Sequence, residues 1–166
     1  MKPRFLYILV LLLFAGCGYH VAGKAGQMPG GVETLAIPVF TNKTIKPDIE
    51  SAVTSAFVSE FVTTVSVAGD APFVMEGVIT AYSLTPVSFT KSDVNQEYRL
   101  TVTMSLRILN ENTGAVIWQD RSVTDYEDFA VNIDDVAATK DREADALRKL
   151  SRDTARLVKE RMMEGF

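Results

Sequence analysis

One segment alternates strictly between apolar and polar side chains, and it restricts the fold more than any other part of the chain. Within residues 98–110 the apolar set is Tyr98, Leu100, Val102, Met104, Leu106 and Ile108. The polar set between them is Arg99, Thr101, Thr103, Ser105 and Arg107. Because successive side chains of a strand point to opposite faces, the pattern predicts a strand with one buried and one solvated face. We therefore expect a sheet that is covered on one side only.

Three further segments are predicted to be strands, at residues 33–40, 73–89 and 115–126. Pro38 removes a backbone donor, so the first of these strands is expected to lie at a sheet edge or to end there. Pro86 interrupts the second strand, a polar turn follows at residues 90–95, and residues 110–114 have the composition of a hairpin loop. An acidic loop is expected after the last strand, with Asp125, Glu127, Asp128, Asp134 and Asp135.

Two segments have the periodicity of amphipathic helices. In residues 47–64, Pro47 suits the first helical position, and an apolar residue recurs every four positions at Ile49, Val53, Phe57 and Phe61. In residues 140–163 the inner stripe is Leu147, Leu150, Thr154, Val158 and Met162, helped by Ala144 and Ala155. The order β-α-β-β-β-α predicts an α+β fold, a two-layer sandwich. In it, two helices cover one face of a four-stranded, mixed and mostly antiparallel sheet.

The first sixteen residues have the properties of a signal peptide. Lys2 and Arg4 supply positive charge, and residues 5–14 carry no polar group except the hydroxyl of Tyr7. At about 1.5 Å per residue, a helix of this length spans roughly 15 Å, or half a bilayer core, which is too short for a transmembrane anchor. Residues 1–16 are therefore interpreted as an export signal.

Cys17 is the only cysteine of the chain, and it follows the small residues Ala15 and Gly16. This arrangement resembles the lipobox of bacterial lipoproteins, apart from Phe14, where leucine is usual. We expect cleavage before Cys17 and acylation, with palmitate among the acyl chains, because stable anchoring needs more than one chain. Gly18 is not the aspartate that commonly retains lipoproteins at the inner membrane, so the outer membrane is favoured.

The rest of the chain is expected to form one domain. Residues 17–31 are rich in glycine and are predicted to be a lipidated cysteine followed by a flexible tether, and residues 32–166 a single α+β domain. A lone cysteine allows no internal disulfide, so packing alone stabilises that domain.

Composition argues against most classes of enzyme and against nucleic-acid binding. Without Lys2 and Arg4 the chain keeps 15 basic against 21 acidic residues, a net charge of −6, which opposes nonspecific binding to nucleic acid. His20, the only histidine, lies in the tether, so neither a catalytic triad nor a site of the histidine or cysteine metal type is expected. Asp134 and Asp135 could act as an acid pair, but a solvated loop is the simpler interpretation. We predict a non-enzymatic binding or assembly module without a cofactor or metal.

Four segments together resemble the lipopolysaccharide-assembly lipoprotein family, LptE. They are Cys17 to His20 (CGYH) and residues 37–61, 97–118 and 140–162. The combination, rather than any single motif, carries the likeness, and it covers nearly the whole mature chain in the same element order.

The resemblance implies a function and two partners. Members sit as a plug inside the outer-membrane β-barrel that inserts lipopolysaccharide (LPS) into the outer leaflet, support folding of that barrel, and can bind LPS. The lipid anchor would hold the domain at the outer membrane, facing the periplasm and the barrel lumen. A polar sheet face would suit a wet lumen. The alternatives are another outer-membrane lipoprotein, such as an activator of a cell-wall synthase, and a periplasmic enzyme, for which no catalytic residue can be nominated.

Lys91 and Lys140 are the candidates for LPS binding, with Arg142 next. The strand directions bring the turn at residues 90–95 and the start of the last helix to one end of the domain. Ammonium groups are good partners for the phosphates of lipid A, and a helix N-terminus adds donors. The competing interpretation is that these are ordinary solvated charges, and it is supported by the nearby Asp93, Asp134, Asp135 and Asp141.

Overall fold

The computed structural model describes residues 28–89, 95–131 and 135–164. The predicted signal peptide, the lipidation residue Cys17 and the candidate Lys91 lie outside these residues. Met28 and Pro29 are buried, so the last residues of the predicted tether, 28 and 29 among them, pack against the domain. Among the described helices, none is long and apolar enough to span a membrane.

The α+β class is confirmed, with both helices on one face of a mixed sheet. After a short 3-10 turn (Pro29–Gly31), the elements in chain order are β1 (Thr34–Ala36), β2 (Thr41–Asn42), α1 (Ile49–Phe61), β3 (Ser66–Val67), β4 (Phe73–Phe89), β5 (Asn95–Asn110), β6 (Val116–Ala130) and α2 (Val136–Glu164).

Within the described residues the sheet has six strands, not the four predicted. Its order is β3-β1-β4-β5-β6, and β2 also pairs with β4. The three long strands are antiparallel neighbours, whereas β1, β2 and β3 are two or three residues long and pair in parallel. Of the predicted strand 33–40, only Thr34–Ala36 is a strand (β1), and β2 starts just after the predicted range. Residues 37–40 are not in a strand, and Pro38 among them cannot donate to a ladder.

Three other predicted boundaries differ from the structure. Asp125, Glu127 and Asp128 belong to β6 rather than to an acidic loop. Helix α2 begins at Val136 instead of residue 140, because the Asp135 carboxylate accepts a hydrogen bond from the Ala138 amide (2.9 Å) and caps the first turn. Pro47 lies just before α1 rather than inside it.

The predicted core is confirmed. Leu100, Val102, Met104, Leu106 and Ile108 of β5 are all fully or almost fully buried. They belong to one apolar cluster with the predicted stripes of both helices: Ile49, Val53, Phe57 and Phe61 of α1, and Leu147, Leu150, Val158 and Met162 of α2. Ala155 is buried as expected, but Ala144 is exposed.

Polar contacts fix α2 along β6. The register pairs Asp125 and Glu127 with buried residues of β5, so both acidic side chains face the helix layer. There Asp125 accepts a hydrogen bond from Thr154 (2.9 Å), and Glu127 forms an ion pair with Lys149. These contacts explain why acidic residues are tolerated on the covered side of the edge strand.

A close approach of Phe40 to Gly77 joins the short strands to the long ones. Phe40 packs edge to face with Phe57, at 5.1 Å between ring centroids, and its backbone amide donates to the buried hydroxyl of Thr54 (3.0 Å). A Cβ atom on residue 77 would lie 2.5 Å from the Phe40 ring, so the strand needs glycine there.

We predict that Gly77→Ala destabilises the domain by about 1–3 kcal/mol, because the buried Phe40 ring cannot move aside without disturbing Phe57. Gly69→Ala is the matched control, since a Cβ there meets no atom within 4 Å. Urea denaturation of both variants measures the difference. Equal midpoints for the two variants and the wild type would contradict this account of Phe40 packing.

Candidate functional site

A cavity of about 370 Å³ opens where the two helices begin. It lies between the segment that leads into α1, the middle of β4 and the second and third turns of α2. Its lining is Lys46, Pro47, Asp48, Ile49, Tyr82, Lys140, Glu143, Ala144 and Leu147. The wall therefore combines apolar side chains with charged ones.

Glu143 is the centre of the polar contacts in this cavity. Its carboxylate accepts hydrogen bonds from the Lys46 ammonium (2.7 Å) and from the Tyr82 hydroxyl. The Lys46 Nζ atom also lies 5.6 Å from the centroid of the Tyr82 ring. These three side chains join the α1 segment, β4 and α2, so the cluster fixes the positions of the three cavity walls.

The environment shifts the pKa of both acidic groups in the cluster. Burial raises the pKa of Tyr82 well above its ordinary value, and the hydrogen bond to Glu143 raises it further. Partial burial works to raise the pKa of Glu143, but the hydrogen bonds from Lys46 and Tyr82 outweigh burial and leave this pKa below its ordinary value. The cluster therefore holds a neutral phenol and an ionised carboxylate near neutral pH.

Lys140 lies in the cavity wall, and Arg142 does not. Lys140 is exposed and forms no ion pair within the described part of the chain. It is one turn inside α2 rather than at its start, where Asp135 already occupies the capping position. Arg142 makes a long contact (3.5 Å) with the carbonyl oxygen of Ala130 at the end of β6.

The expected geometry of this end of the domain holds for the residues that flank Lys91. Glu97 of β5 pairs with Ala130 of β6, so the end of β6 lies beside the start of β5. Helix α2 begins soon afterwards, which brings Lys140 to the half of the domain that contains the β4–β5 connection. Lys91 itself lies outside the described residues.

Lys46, Tyr82 and Glu143 were not predicted from the sequence as site residues. Lys46 and Glu143 are 97 positions apart, and only the parallel arrangement of the two helices brings them together. The same arrangement pairs Glu60 with Lys159 at the other end of the helices. The nearest local signal was Pro47, which marked the start of α1 and placed Lys46 at a helix entrance.

The opposite, uncovered face of the sheet is a second candidate surface. Arg99 binds Asp128 through two hydrogen bonds of 2.8 Å and lies 4.1 Å from the ring of Tyr126. The hydrogen bonds from Arg99 hold the pKa of Asp128 below its ordinary range. Thr103 and Thr124 bond across β5 and β6 at 3.1 Å. The predicted polar face is therefore confirmed, and both of its predicted arginines are paired within it, Arg99 with Asp128 and Arg107 with Glu76.

Chemically, both surfaces are suited to binding. Within residues 28–89, 95–131 and 135–164, no group of three or more His, Cys, Asp or Glu side chains could hold a metal ion. The cavity wall combines apolar side chains with the Lys46–Glu143 ion pair, Asp48 and Lys140, so Lys140 is the one ammonium group of the lining without an ion pair among the described residues.

We predict that Glu143→Gln lowers the melting temperature at pH 7 and that this loss disappears in acid. A carboxylate with a lowered pKa stabilises the fold above its unfolded pKa of about 4.3, and that contribution is lost as the pH falls through the folded pKa. Melting curves from pH 7 to pH 3 test this. Glu111→Gln, in the exposed β5–β6 turn, is the control; a Glu143→Gln deficit that persists at pH 3 would contradict the ionic role.

Solved structures with the same fold come from several bacteria. A Xanthomonas campestris protein has a TM-score of 0.55 at 12% identity, over 83% of this chain and 88% of its own. The uncharacterized lipoprotein B of Nitrosomonas europaea has a TM-score of 0.52 at 15% identity, over 87% and 89%. A minor lipoprotein of Acinetobacter baumannii has a TM-score of 0.50 at 14% identity, over 80% and 92%. At these identities the likeness establishes the fold alone.

Sequence comparison gives the family. No curated protein matches the chain. A family model described as lipopolysaccharide-assembly, LptE, matches residues 32–162, which include every element from β1 to the last turns of α2. Its members are in general non-catalytic lipoproteins. This match agrees with the observed fold, and the chain belongs to the LptE family of lipopolysaccharide-assembly lipoproteins.

Proposed function

We propose that this protein is an outer-membrane lipoprotein that plugs and helps assemble the LPS-translocating β-barrel and binds LPS during its insertion into the outer leaflet. Family membership supports a role in LPS assembly. The observation that carries the specific proposal is the uncovered face of the three long strands, which is polar from Arg99 to Arg107 and pairs these two arginines with carboxylates of the same face.

The chemistry of that face suits a water-filled lumen. Arg99 is satisfied by Asp128 and Arg107 by Glu76, so the face presents balanced charges rather than a strong field of one sign. Between them stand short hydroxyl side chains, which can exchange hydrogen bonds with water or with a polar barrel wall: Thr101, Thr103, Ser105 and Thr124. The lumen of a large outer-membrane barrel is polar and wet, so such a surface can be enclosed there without desolvating an unpaired charge.

The proposed anchor is lipid on Cys17, after removal of residues 1–16. An apolar stretch of ten residues followed by Ala15, Gly16 and Cys17 supports it, because that stretch is too short to span a bilayer. Lipidation would hold the domain at the periplasmic side of the outer membrane, where the barrel is assembled.

Affinity purification from cells fed labelled palmitate tests the anchor and the partner together. We expect a tagged wild-type protein to carry label and to co-purify with a large outer-membrane β-barrel, and Cys17→Ala to lose the label. Recovery of an inner-membrane cell-wall synthase instead would favour the alternative function, an activator of such an enzyme. A wild-type protein without label would refute the lipid anchor.

We also propose that LPS phosphates bind near the start of α2, with Lys91, Lys140 and Arg142 as candidates. Lys140 has the strongest support, since it lies in the cavity wall without an ion-pair partner among the described residues. Asp48 in the same wall, and Asp135 and Asp141 close by in the chain, weaken the positive potential. This favours the competing interpretation that these lysines are simply solvated.

The double variant Lys91→Glu with Lys140→Glu should bind LPS about tenfold more weakly at low salt, a loss of ~1.4 kcal/mol that shrinks as salt screens the charges. Arg156→Glu, an exposed position on the same helix, is the control and should bind normally. Circular dichroism melting checks folding, and co-purification checks barrel association. Equal LPS binding by the double variant and the wild type at low salt would place the site elsewhere.

A further inference from the structure

Strand β4 is paired on both sides only over its first half. On one side it pairs with β5 along its whole length. On the other side β1 pairs at Phe73 and Val74, β2 pairs at Val78 and Ile79, and the Lys43 amide adds a last hydrogen bond to the Ile79 carbonyl (2.9 Å). Beyond Ile79, none of the residues that the structure describes adds a strand on this side. The short strands β1 and β2 therefore cover only the first half of this edge of β4, and the second half is a vacant edge.

The vacant edge is open to solvent. Apart from the half-buried Tyr82, every side chain in residues 81–87 is exposed, including Leu84 and Val87. Pro86 has no amide hydrogen and limits regular pairing to residues 81–85, about 17 Å of strand at ~3.3 Å per residue. That is the length of an ordinary strand in a globular protein.

The edge of β6 and the edge of the second half of β4 differ in how they are protected. Proteins commonly keep an edge strand from pairing with other chains by placing charges along it. Strand β6 follows this rule, with Asp120, Arg121, Asp125, Glu127 and Asp128. By contrast, residues 77–90, from within β4 to just past its end, contain no charged side chain. Of these two edges, only that of β6 is protected against pairing.

A rigid loop presents an apolar anchor beside the same edge. Ile45 is fully exposed, at the tip of the connection from β2 to α1. The Asn42 side chain holds this loop: its amide donates to the Lys46 carbonyl (2.7 Å) and to Glu50 (2.9 Å), and its oxygen accepts from the Thr44 amide (2.9 Å). Because the loop is already fixed by these bonds, docking on Ile45 costs little conformational entropy.

We propose that residues 81–85 of β4 accept an extended segment of the barrel partner by backbone pairing, with Ile45 as the apolar anchor next to it. This inference rests on the proposed function, in which a single copy of the domain sits within the barrel and the partner's own segments are in reach. The bound segment would continue the row of short strands beyond β2, along the second half of β4. The segment should be uncharged, since residues 77–90 offer no charged side chain to pair with one of its own.

Hydrogen exchange of the purified lipoprotein–barrel complex tests this proposal directly. Backbone pairing should slow exchange in residues 81–85 at least tenfold relative to the isolated lipoprotein, while the outer edge of β6 changes little. Fast exchange at residues 81–85 in an intact complex would overturn the inference and leave the proposed function standing. Failure to recover any complex with a barrel would overturn both.

A variant pair separates the anchor from general surface hydrophobicity. Ile45→Ser should speed dissociation from the barrel at least threefold, whereas Val62→Ser, at an exposed apolar position just after α1, should leave it unchanged. Equal rates for both variants would remove Ile45 from the interface. Concentration-dependent protection of residues 81–85 in the isolated lipoprotein, with a doubled mass by light scattering, would assign the edge to a second copy and overturn the choice of partner.

Discussion

The contact between the apolar face of β5 and the two helix stripes is the interaction on which the rest of the structure depends. Five consecutive inward positions, from Leu100 to Ile108, are buried in it. Each large side chain contributes about 1.5–3 kcal/mol through burial. A shift of one residue in the register would turn all five to the solvent and put Arg99 and Arg107 into the core. The same contact therefore sets the register of β4 and β6 and leaves the opposite face polar, which is the surface that a wet lumen can enclose.

The two helices run in the same direction over that face, and the cavity follows from their arrangement. Both helices begin at the same end of the layer, where the chain arrives from two different strands and leaves space between the entrances. Lys46 and Tyr82 are hydrogen-bonded to Glu143 in the wall of this space, and Lys140 lies in the same wall. At the other end, Lys159 and Glu60 join the helices directly. The ion pairs Lys46–Glu143 and Glu60–Lys159 therefore join the first helix and the segment before it to α2 at both ends of the helix layer.

The parts of this fold that could be predicted from sequence are those with a periodic signal. The bounds of β4 agree with the prediction, since Pro72 and the polar turn mark its ends, and the stripes of α1 and α2 all reach the core. Strands β1, β2 and β3 are too short to show any period, and only their pairing defines them. The acidic residues of β6 were assigned to a loop, because their partners Lys149 and Thr154 become neighbours only after α2 folds back. For the same reason, the candidate site could be predicted at Lys140 but not at Lys46 or Glu143, which are joined by tertiary structure alone.

Tyr82 connects the cavity between the helix entrances with the exposed edge of β4. Its backbone belongs to residues 81–85 of β4, which pair with β5 on one side only. Its hydroxyl donates a hydrogen bond to Glu143 in the wall of the cavity. The strand that borders the cavity is therefore also the strand whose outer edge lacks a partner among the described residues. Pairing along that edge would immobilise Tyr82 and, through Glu143, the second turn of α2 that carries Lys140. In this arrangement a polypeptide bound at the edge and an anionic ligand in the cavity would act on one shared strand, so the geometry provides a direct physical route between association with a partner and the shape of the binding cavity.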